Sequence, residues 1–275
     1  MRRIYLIILM ITMGLLAALP ACAQDNPITV AFSDPSKPGT LKMHLLQGTI
    51  AVKAGSGRDV VITPRSRGSQ NNRNRQRSSS SPTTEGLHRL DAISNGLSVE
   101  EQNNIMTVSA GLNHVDLQIE VPTRTNLQLK VVNGGGMTVE GVDGEIDVHN
   151  DNGSITLTDV SGSVLADSLN GKVVATLKRV TPQPMSFVSM NGSVDVTLPA
   201  DTKANLKLRT DHGDVWTDFD VQMRPGSQPT VVDARRSGGP VRINVDRSFL
   251  GTINGGGPEI ELRTMNGSVY IRKAK

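Results

Sequence analysis

The 275-residue chain is poor in the residues that usually form a covalent framework or a large aromatic core. Its single cysteine excludes an intramolecular disulfide. With one Trp, two Tyr and four Phe, aromatics make up only 3% of the chain, so the core must come from Val, Ile, Leu and Met. Beyond the N-terminus no apolar pattern of helical period exceeds two turns, which predicts an almost entirely β protein.

An excess of one charge is also missing. The formal net charge is +3, and removal of a leader with Arg2 and Arg3 would leave 27 basic against 26 acidic residues, a net charge of +1. No general basic field for nucleic acid is therefore expected. The chain has no G-x-S-x-G nucleophile motif, its histidines lack metal-ligand spacing, and no column of aspartates follows the glycines. We expect no cofactor and no metal.

Residues 1–23 have the pattern of a secretory signal peptide. Arg2 and Arg3 precede an apolar run over 4–19, and small residues follow at Ala21-Cys22-Ala23. A retained transmembrane anchor is the alternative, but the run is somewhat short for a bilayer. The sequence thus predicts export, to the periplasm or to the outer membrane or cell surface.

Cys22, the only cysteine, supports two interpretations. Leu19-Pro20-Ala21-Cys22 resembles a bacterial lipobox, in which the cysteine would carry a lipid. Ala21-Cys22-Ala23 also fits ordinary cleavage before Gln24. Any membrane attachment of the mature chain would go through that lipid.

Glycines at a fixed step are the most informative positive feature. Five of them lie nine residues apart, at Gly135, Gly144, Gly153, Gly162 and Gly171. After each one, the second and fourth residues are mostly apolar, which predicts short strands with one buried face. The same unit returns at Gly48, Gly192, Gly213 and Gly267. A regular step this short is typical of stacked β architectures.

The turns between these strands alternate in type. Asn precedes glycine at 152, 170, 191 and 266, whereas Asp143-Gly144 and Ser161-Gly162 lie between. The true period is therefore about eighteen residues and two strands. Asn-Gly turns also suit hairpins, so an antiparallel β-sandwich is the second model. Because no helix is available to cover a single sheet, we favour an all-β, single-stranded parallel β-helix, or solenoid, of roughly 18-residue coils.

The chain reads as one domain with an insertion. The first strands fall within 24–63, an Asn/Arg/Ser-rich insertion occupies 64–86, and the solenoid continues over 87–275. The insertion is either a solvated loop or a mobile arm for anionic surfaces. The lack of interleaved aromatics argues against binding of single-stranded nucleic acid. The arginines of this candidate arm are Arg65, Arg67, Arg73, Arg75 and Arg77.

Three features together resemble the bacterial putative-adhesin family, a domain of unknown function related to toastrack-type envelope domains. These are the Asn-Gly-Ser-[Ile/Val]-x-[Val/Leu] repeats, the strand ends Val121-Pro122 and Leu198-Pro199, and the closing segment 256–269. The resemblance covers roughly 40–273 without the insertion. It implies a single-stranded β-helix in an exported envelope protein, and no catalytic residues.

Trp216 and Tyr270 are the candidate ligand face. Each lies three residues after its glycine, so stacking would place both rings on one outer face, where aromatics can stack on sugars. In the alternative, Trp216 packs under the loop at 222–240. Glu145 and Asp147, two residues apart on one strand, are the only carboxylate pair that suggests a glycan-cleaving enzyme.

The sequence therefore predicts a non-enzymatic envelope or surface scaffold of adhesin type. The expected partners are a cell-wall or surface polysaccharide or an envelope protein, and not nucleic acid. A structural or sensory component of an envelope-stress system is the second hypothesis. A carbohydrate-active enzyme using Glu145 and Asp147 is the third.

Overall fold

The computed structural model describes residues 27–65, 96–111, 114–224, 230–233, 241–244 and 248–275, and within 225–247 only the backbone of two short strands. The regular structure of these residues is β-strand throughout. None of them belongs to a helix long and apolar enough to span a membrane. The predicted signal peptide, Cys22, and all arginines of the candidate arm except Arg65 lie outside the described residues.

The strands in chain order are β1 (Ile28–Ala31), β2 (Gly39–Gly55), β3 (Asp59–Arg65), β4 (Ser98–Gln102), β5 (Ile105–Ser109), β6 (Asp116–Pro122), β7 (Thr125–Glu140), β8 (Ile146–Asn152), β9 (Ile155–Gly162), β10 (Val164–Asn170), β11 (Val173–Val180), β12 (Met185–Asn191), β13 (Val194–Leu198), β14 (Ala204–His212), β15 (Val215–Thr217), β16 (Gln222–Met223), β17 (Thr230–Asp233), β18 (Val241–Asn244), β19 (Phe249–Ile253), β20 (Glu259–Asn266) and β21 (Val269–Lys273).

Nineteen of these strands join in one large, mostly parallel sheet, and β17 and β18 form a separate pair. The sheet contains two parallel ladders. The first ladder runs β2, β7, β8, β10, β12, β20, β14. The second ladder runs β2, β7, β9, β11, β13, β21, β15. β2 and β7 are long enough to contribute to both ladders, and each later repeat supplies one strand to each.

The register reproduces the glycine period. Ile146 pairs with Val164 in the first ladder, and Ile155 pairs with Val173 in the second. Both pairs are eighteen residues apart, as are the bonded Asn152 and Asn170. The next repeat is three residues longer.

The order of the repeats in space differs from their order in sequence. The C-terminal strands β20 and β21 lie between the β12/β13 repeat and the β14/β15 repeat. At the other end, β2 lies between β7 and the pair β5 and β6. Two segments far apart in sequence are thus inserted within the stack, and each adds long-range pairing near one end.

Antiparallel strands form most of the two ends of the large sheet. β4 pairs with β5, and β1 and β3 extend the sheet beyond β6. At the opposite end β19 pairs with β14, and β16 pairs with β19. The repeat therefore continues into irregular terminal strands, as stacked β repeats generally do.

The apolar pairs that follow the glycines form the core, with one exception. Outside that exception, both side chains of every pair from Ile50/Val52 to Val269/Ile271 are at most 2% exposed. Val215 and Thr217 were expected to be buried in the same way, but Val215 is half-buried and Thr217 is exposed. Their strand has three residues and pairs in parallel with β21 at the end of the second ladder. The apolar layer is thus incomplete at this end.

The turn where the first ladder passes into the second explains the recurring glycine. A Cβ built on Gly153 would lie 1.7 Å from the carbonyl oxygen of Gly135, and one on Gly171 would lie 2.2 Å from that of Gly153. Any side chain there would collide with the backbone of the neighbouring repeat. Gly192 and Gly267 meet the same obstacle, at 2.3 Å each.

An asparagine ladder runs along this turn. Each Nδ2 donates to the Oδ1 of the asparagine in the neighbouring repeat, from Asn152 to Asn133 over 3.0 Å and from Asn170 to Asn152 over 3.0 Å. The bonds from Asn191 to Asn170 and from Asn266 to Asn191 are both 2.8 Å. The asparagines before the glycines are therefore mutual hydrogen-bond partners as well as turn residues.

A second polar row lies inside the same turn. The hydroxyl of Ser168 donates to the carbonyl oxygen of Gly153 over 3.0 Å, and that of Ser189 donates to Gly171 over 2.8 Å. Thr264 and Thr210 continue the row. Buried carbonyls that the turn withdraws from the ladders are satisfied in this way.

Candidate ligand-binding face

The outward side of the second ladder, continued onto β6 beside β2, presents a continuous row of side chains, here called the front row. Each member is paired in register with the next, and its neighbours along its own strand are buried, except those of Trp216. The front row consists of Trp216, Tyr270, Asp195, Val174, Thr156, Thr138, Ala51 and Gln118.

The structure brings the two candidate aromatics together. Trp216 on β15 is the direct register partner of Tyr270 on β21. Trp216 is 57% exposed, while Tyr270 is half-buried. Most of the loop at 222–240, under which the alternative places Trp216, lies outside the described residues. An open indole beside a half-buried phenol is the kind of surface on which the apolar face of a sugar ring can stack.

Arg272 contacts Tyr270 and Asp195, the two residues that follow Trp216 in the front row. Its Nε and NH2 nitrogens donate to Oδ1 and Oδ2 of Asp195 over 2.8 and 3.0 Å, and its guanidinium lies 5.2 Å from the centre of the Tyr270 ring. The hydrogen bonds that Arg272 donates to the Asp195 carboxylate raise the pKa of Arg272 above its ordinary value. This fork keeps Arg272 planar against the carboxylate and close to the phenol.

Several contacts tie β15 to β21 beneath the aromatic pair. The Asp214 N–H donates to Ser268 Oγ over 3.2 Å, and Asp218 Oδ1 accepts the Lys273 N–H over 2.7 Å. Lys273 Nζ also lies 5.2 Å from the centre of the Phe219 ring. Trp216 is thus carried by a short strand that is held at both ends.

A groove of about 400 Å³ occupies the opposite end of the same face. Its lining includes Gln118, Thr138, Thr156 and Thr158, and the Lys53–Glu140 ion pair of 3.0 Å crosses it. Gln118, Thr138 and Thr156 are front-row residues. The aromatic pair and the hydroxyl-rich groove therefore belong to one surface.

The carboxylates Glu145 and Asp147 lie elsewhere, on the outward side of the first ladder. Both are exposed and line a shallow groove of about 230 Å³ with Asn126 and Ser163. The Glu145 N–H donates to Asn126 Oδ1 over 2.9 Å. Among the described side chains neither carboxylate has a hydrogen-bond or ion-pair partner. The geometry supplies no third group to orient an acid or base there.

The remaining predicted residues are not gathered at this face. Arg65 ends β3, in register opposite Asp116 on β6. His149 lies 3.8 Å from Asp167 on the neighbouring strand. Across the ranges that the structure describes, no group of three or more His, Cys, Asp or Glu side chains is placed to hold a metal ion.

Sequence reasoning missed Asp195 and Arg272. Asp195 occupies the third position after Gly192, the position that Trp216 and Tyr270 occupy after their own glycines. Arg272 stands at the fifth position after Gly267. The repeat offset was therefore a usable signal, but the pairing of β13 with β21 was needed to show that the two groups meet.

No protein-family model matches this chain, and no curated protein matches it significantly. Among solved structures, a putative cell adhesion protein from Clostridium sporogenes is 11% identical, covers 91% of this chain and 100% of its own, and has a TM-score of 0.39. A putative adhesin from Bacteroides fragilis is 12% identical, covers 91% and 98%, and has a TM-score of 0.27.

Proposed function

We propose that this protein is a non-enzymatic, exported β-solenoid that binds glycans through the outward side of its second ladder. The two parallel ladders, which share β2 and β7 and bury their apolar residues, support the solenoid. A single-stranded coil buries its own core and leaves long, regular outer walls. We assign the second ladder to one such wall.

The observation that carries the proposal is the pairing of Trp216 with Tyr270. The 57% exposed Trp216 ring leaves a large, flat apolar surface open to a ligand. Here it stands beside a second aromatic whose neighbour Arg272 is held by Asp195. Flat aromatic surfaces beside charged hydrogen-bonding groups fit the alternating apolar faces and hydroxyls of sugars.

The cellular location in this proposal rests on the sequence. The basic start and apolar run of residues 1–23 support export, and Cys22 offers one attachment point for lipid. Mass spectrometry of the mature N-terminus distinguishes an acylated Cys22 from a chain that begins at Gln24.

The test uses the fact that Trp216 is the only tryptophan of the chain. The purified mature protein is applied to an array of glycans and cell-wall polymers, and each hit is titrated while tryptophan emission is followed. A ligand on the face should shift and protect that emission directly. Trp216→Ala should strongly reduce binding on the array.

Phe249→Ala is the matched control, because Phe249 is another exposed aromatic, 47% accessible, on β19 rather than on the second ladder. Its binding should equal that of the wild type. If no polymer binds, or if Trp216→Ala binds as well as the control, the proposed function is wrong. An envelope protein would then be the partner to seek.

A further inference from the structure

The front row crosses the whole stack rather than ending near the aromatics. It passes through β15, β21, β13, β11, β9, β7, β2 and β6 without a break in register. With strands spaced about 4.8 Å apart, the seven steps from Trp216 to Gln118 span roughly 34 Å. A single sugar covers only a small part of that length.

A parallel second row lies two residues further along each strand. It is interrupted once, by the bulge between Ala175 and Leu177. Hydroxyls occupy its centre and charged groups occupy its ends. Its members are Arg272, Thr197, Thr176, Thr158, Glu140, Lys53 and Glu120.

The chemistry of the two rows is rich in hydroxyls and low in free positive charge. Arg272 is engaged by Asp195, and Lys53 lies 3.0 Å from Glu140. Glu120 adds a carboxylate at the far end. A polyanion would find both cations of the rows already paired and would meet the Glu120 carboxylate at the far end.

The Trp216 ring is 57% exposed, and the groove of about 400 Å³ lies at the far end of the face. A short sugar on Trp216 would gain one stacking contact and little else. A long chain would add many weak contacts whose free energies sum after the first has paid the cost of association.

We propose that the ligand is a linear, neutral polysaccharide that lies across the strands, from the aromatic pair to the groove lined by Gln118, Thr138 and Thr156. This inference rests on the proposed function and specifies its substrate class. Stacking on Trp216 and Tyr270 anchors one end of the segment. The threonine hydroxyls donate to and accept from the sugar hydroxyls along the remainder.

The experiment is a length series. Cello- and chito-oligosaccharides, from disaccharide to octasaccharide, serve as neutral linear probes together with oligomers of any neutral array hit. Oligogalacturonates of equal length serve as polyanionic probes. Affinity is measured by calorimetry and by Trp216 emission. Among neutral probes it should rise with length by about tenfold or more until the 34 Å track is filled.

Variants locate the two ends. Thr138→Val combined with Thr156→Val removes far-end hydroxyls while keeping shape and strand propensity. This variant should weaken the longest oligomers several-fold and leave the shortest unchanged, whereas Trp216→Ala should weaken all lengths. Gln128→Ala, on the outward side of the first ladder, is the control and should change nothing.

The outcomes separate this inference from the proposed function. If short oligomers bind as tightly as long ones, or if the threonine variant weakens all lengths equally, the track is wrong while glycan binding stands. Tighter binding of oligogalacturonates would overturn the neutral substrate class. No binding of any neutral or charged polymer would overturn both.

Discussion

The Nδ2 nitrogen of Asn170 donates to Oδ1 of Asn152 over 3.0 Å, eighteen residues back in the chain, and its own Oδ1 accepts from Asn191 over 2.8 Å. Each asparagine inside the ladder therefore donates a hydrogen bond to the asparagine before it and accepts one from the asparagine after it. The ladder joins repeats at the turn, where the backbone leaves regular strand pairing. It accounts for asparagine specifically, because aspartate lacks the donor and serine lacks the reach.

Asn170→Ala should destabilise the protein by about 1 kcal/mol, because two hydrogen bonds between exposed amides are exchanged for bonds to water. Urea unfolding of the mature chain measures the change. Gln128→Ala removes an exposed amide outside the ladder and should leave the midpoint unaltered. Equal midpoints for the two variants would show that the ladder contributes nothing.

Gly171→Ala should cost about 3 kcal/mol, because its Cβ would lie 2.2 Å from the carbonyl oxygen of Gly153 and backbone cannot yield locally. Gly57→Ala is the matched control, since its Cβ would meet no atom closer than 3.9 Å. That variant should stay within about 1 kcal/mol of the wild type. Thermal unfolding compares the two, and a tolerated Gly171→Ala would contradict the steric account of the glycine step.

The sequence predicted the all-β class and the two-strand period because both depend on local chemistry. Alternating burial sets the apolar pairs, and contact between turns sets the glycines. It did not reveal that β20 and β21 insert between earlier repeats, since Asn266-Gly267 would fit any position in the stack. The spatial order of the repeats is decided by long-range strand pairing and by the strands at the two ends of the stack.

The same distinction applies to the candidate site. Equal offsets from a glycine put Trp216 and Tyr270 on one face, and the structure places them in direct register. The Asp195–Arg272 fork was not predicted, because it joins repeats 77 residues apart in sequence. The sequence does not show which repeats are neighbours in space.

Thr264→Val should destabilise the protein by about 1–3 kcal/mol. The Thr264 side chain is fully buried, and its hydroxyl donates to the Gly192 carbonyl oxygen over 2.7 Å. Valine keeps the volume and leaves that carbonyl unsatisfied. Thr158→Val, an exposed change on β9, should stay within about 0.5 kcal/mol. Urea unfolding measures both variants, and similar values would exclude a role for the buried hydroxyl row.

Asp34 should remain ionised to unusually low pH. Hydrogen bonds from Ser36 and then from Lys37 lower its pKa from 3.8 to about 2. Because the folded pKa is depressed, the stabilisation by Asp34 is complete above about pH 4 and is lost as the pH falls through 2. Carbon NMR of the carboxyl group follows the titration. Asp34→Asn should remove this step from the acid unfolding curve, and a midpoint near 3.8 in the wild type would refute the assignment.

Arg272 should position the aromatic pair for binding rather than hold the fold together. Arg272→Ala frees both Asp195 and the Tyr270 ring, so glycan affinity should fall about tenfold, while stability changes by less than about 1 kcal/mol because the ion pair is exposed. Arg272→Lys keeps the charge but loses the two-nitrogen fork, so its glycan affinity should lie between those of the wild type and Arg272→Ala.

Arg179→Ala removes a comparable ion pair with Asp143, away from the face, and should bind like the wild type. Calorimetry and Trp216 emission provide the affinities, and aromatic NMR of Tyr270 reports its ring environment. A loss of affinity without any change at Tyr270 would assign Arg272 to direct ligand contact instead.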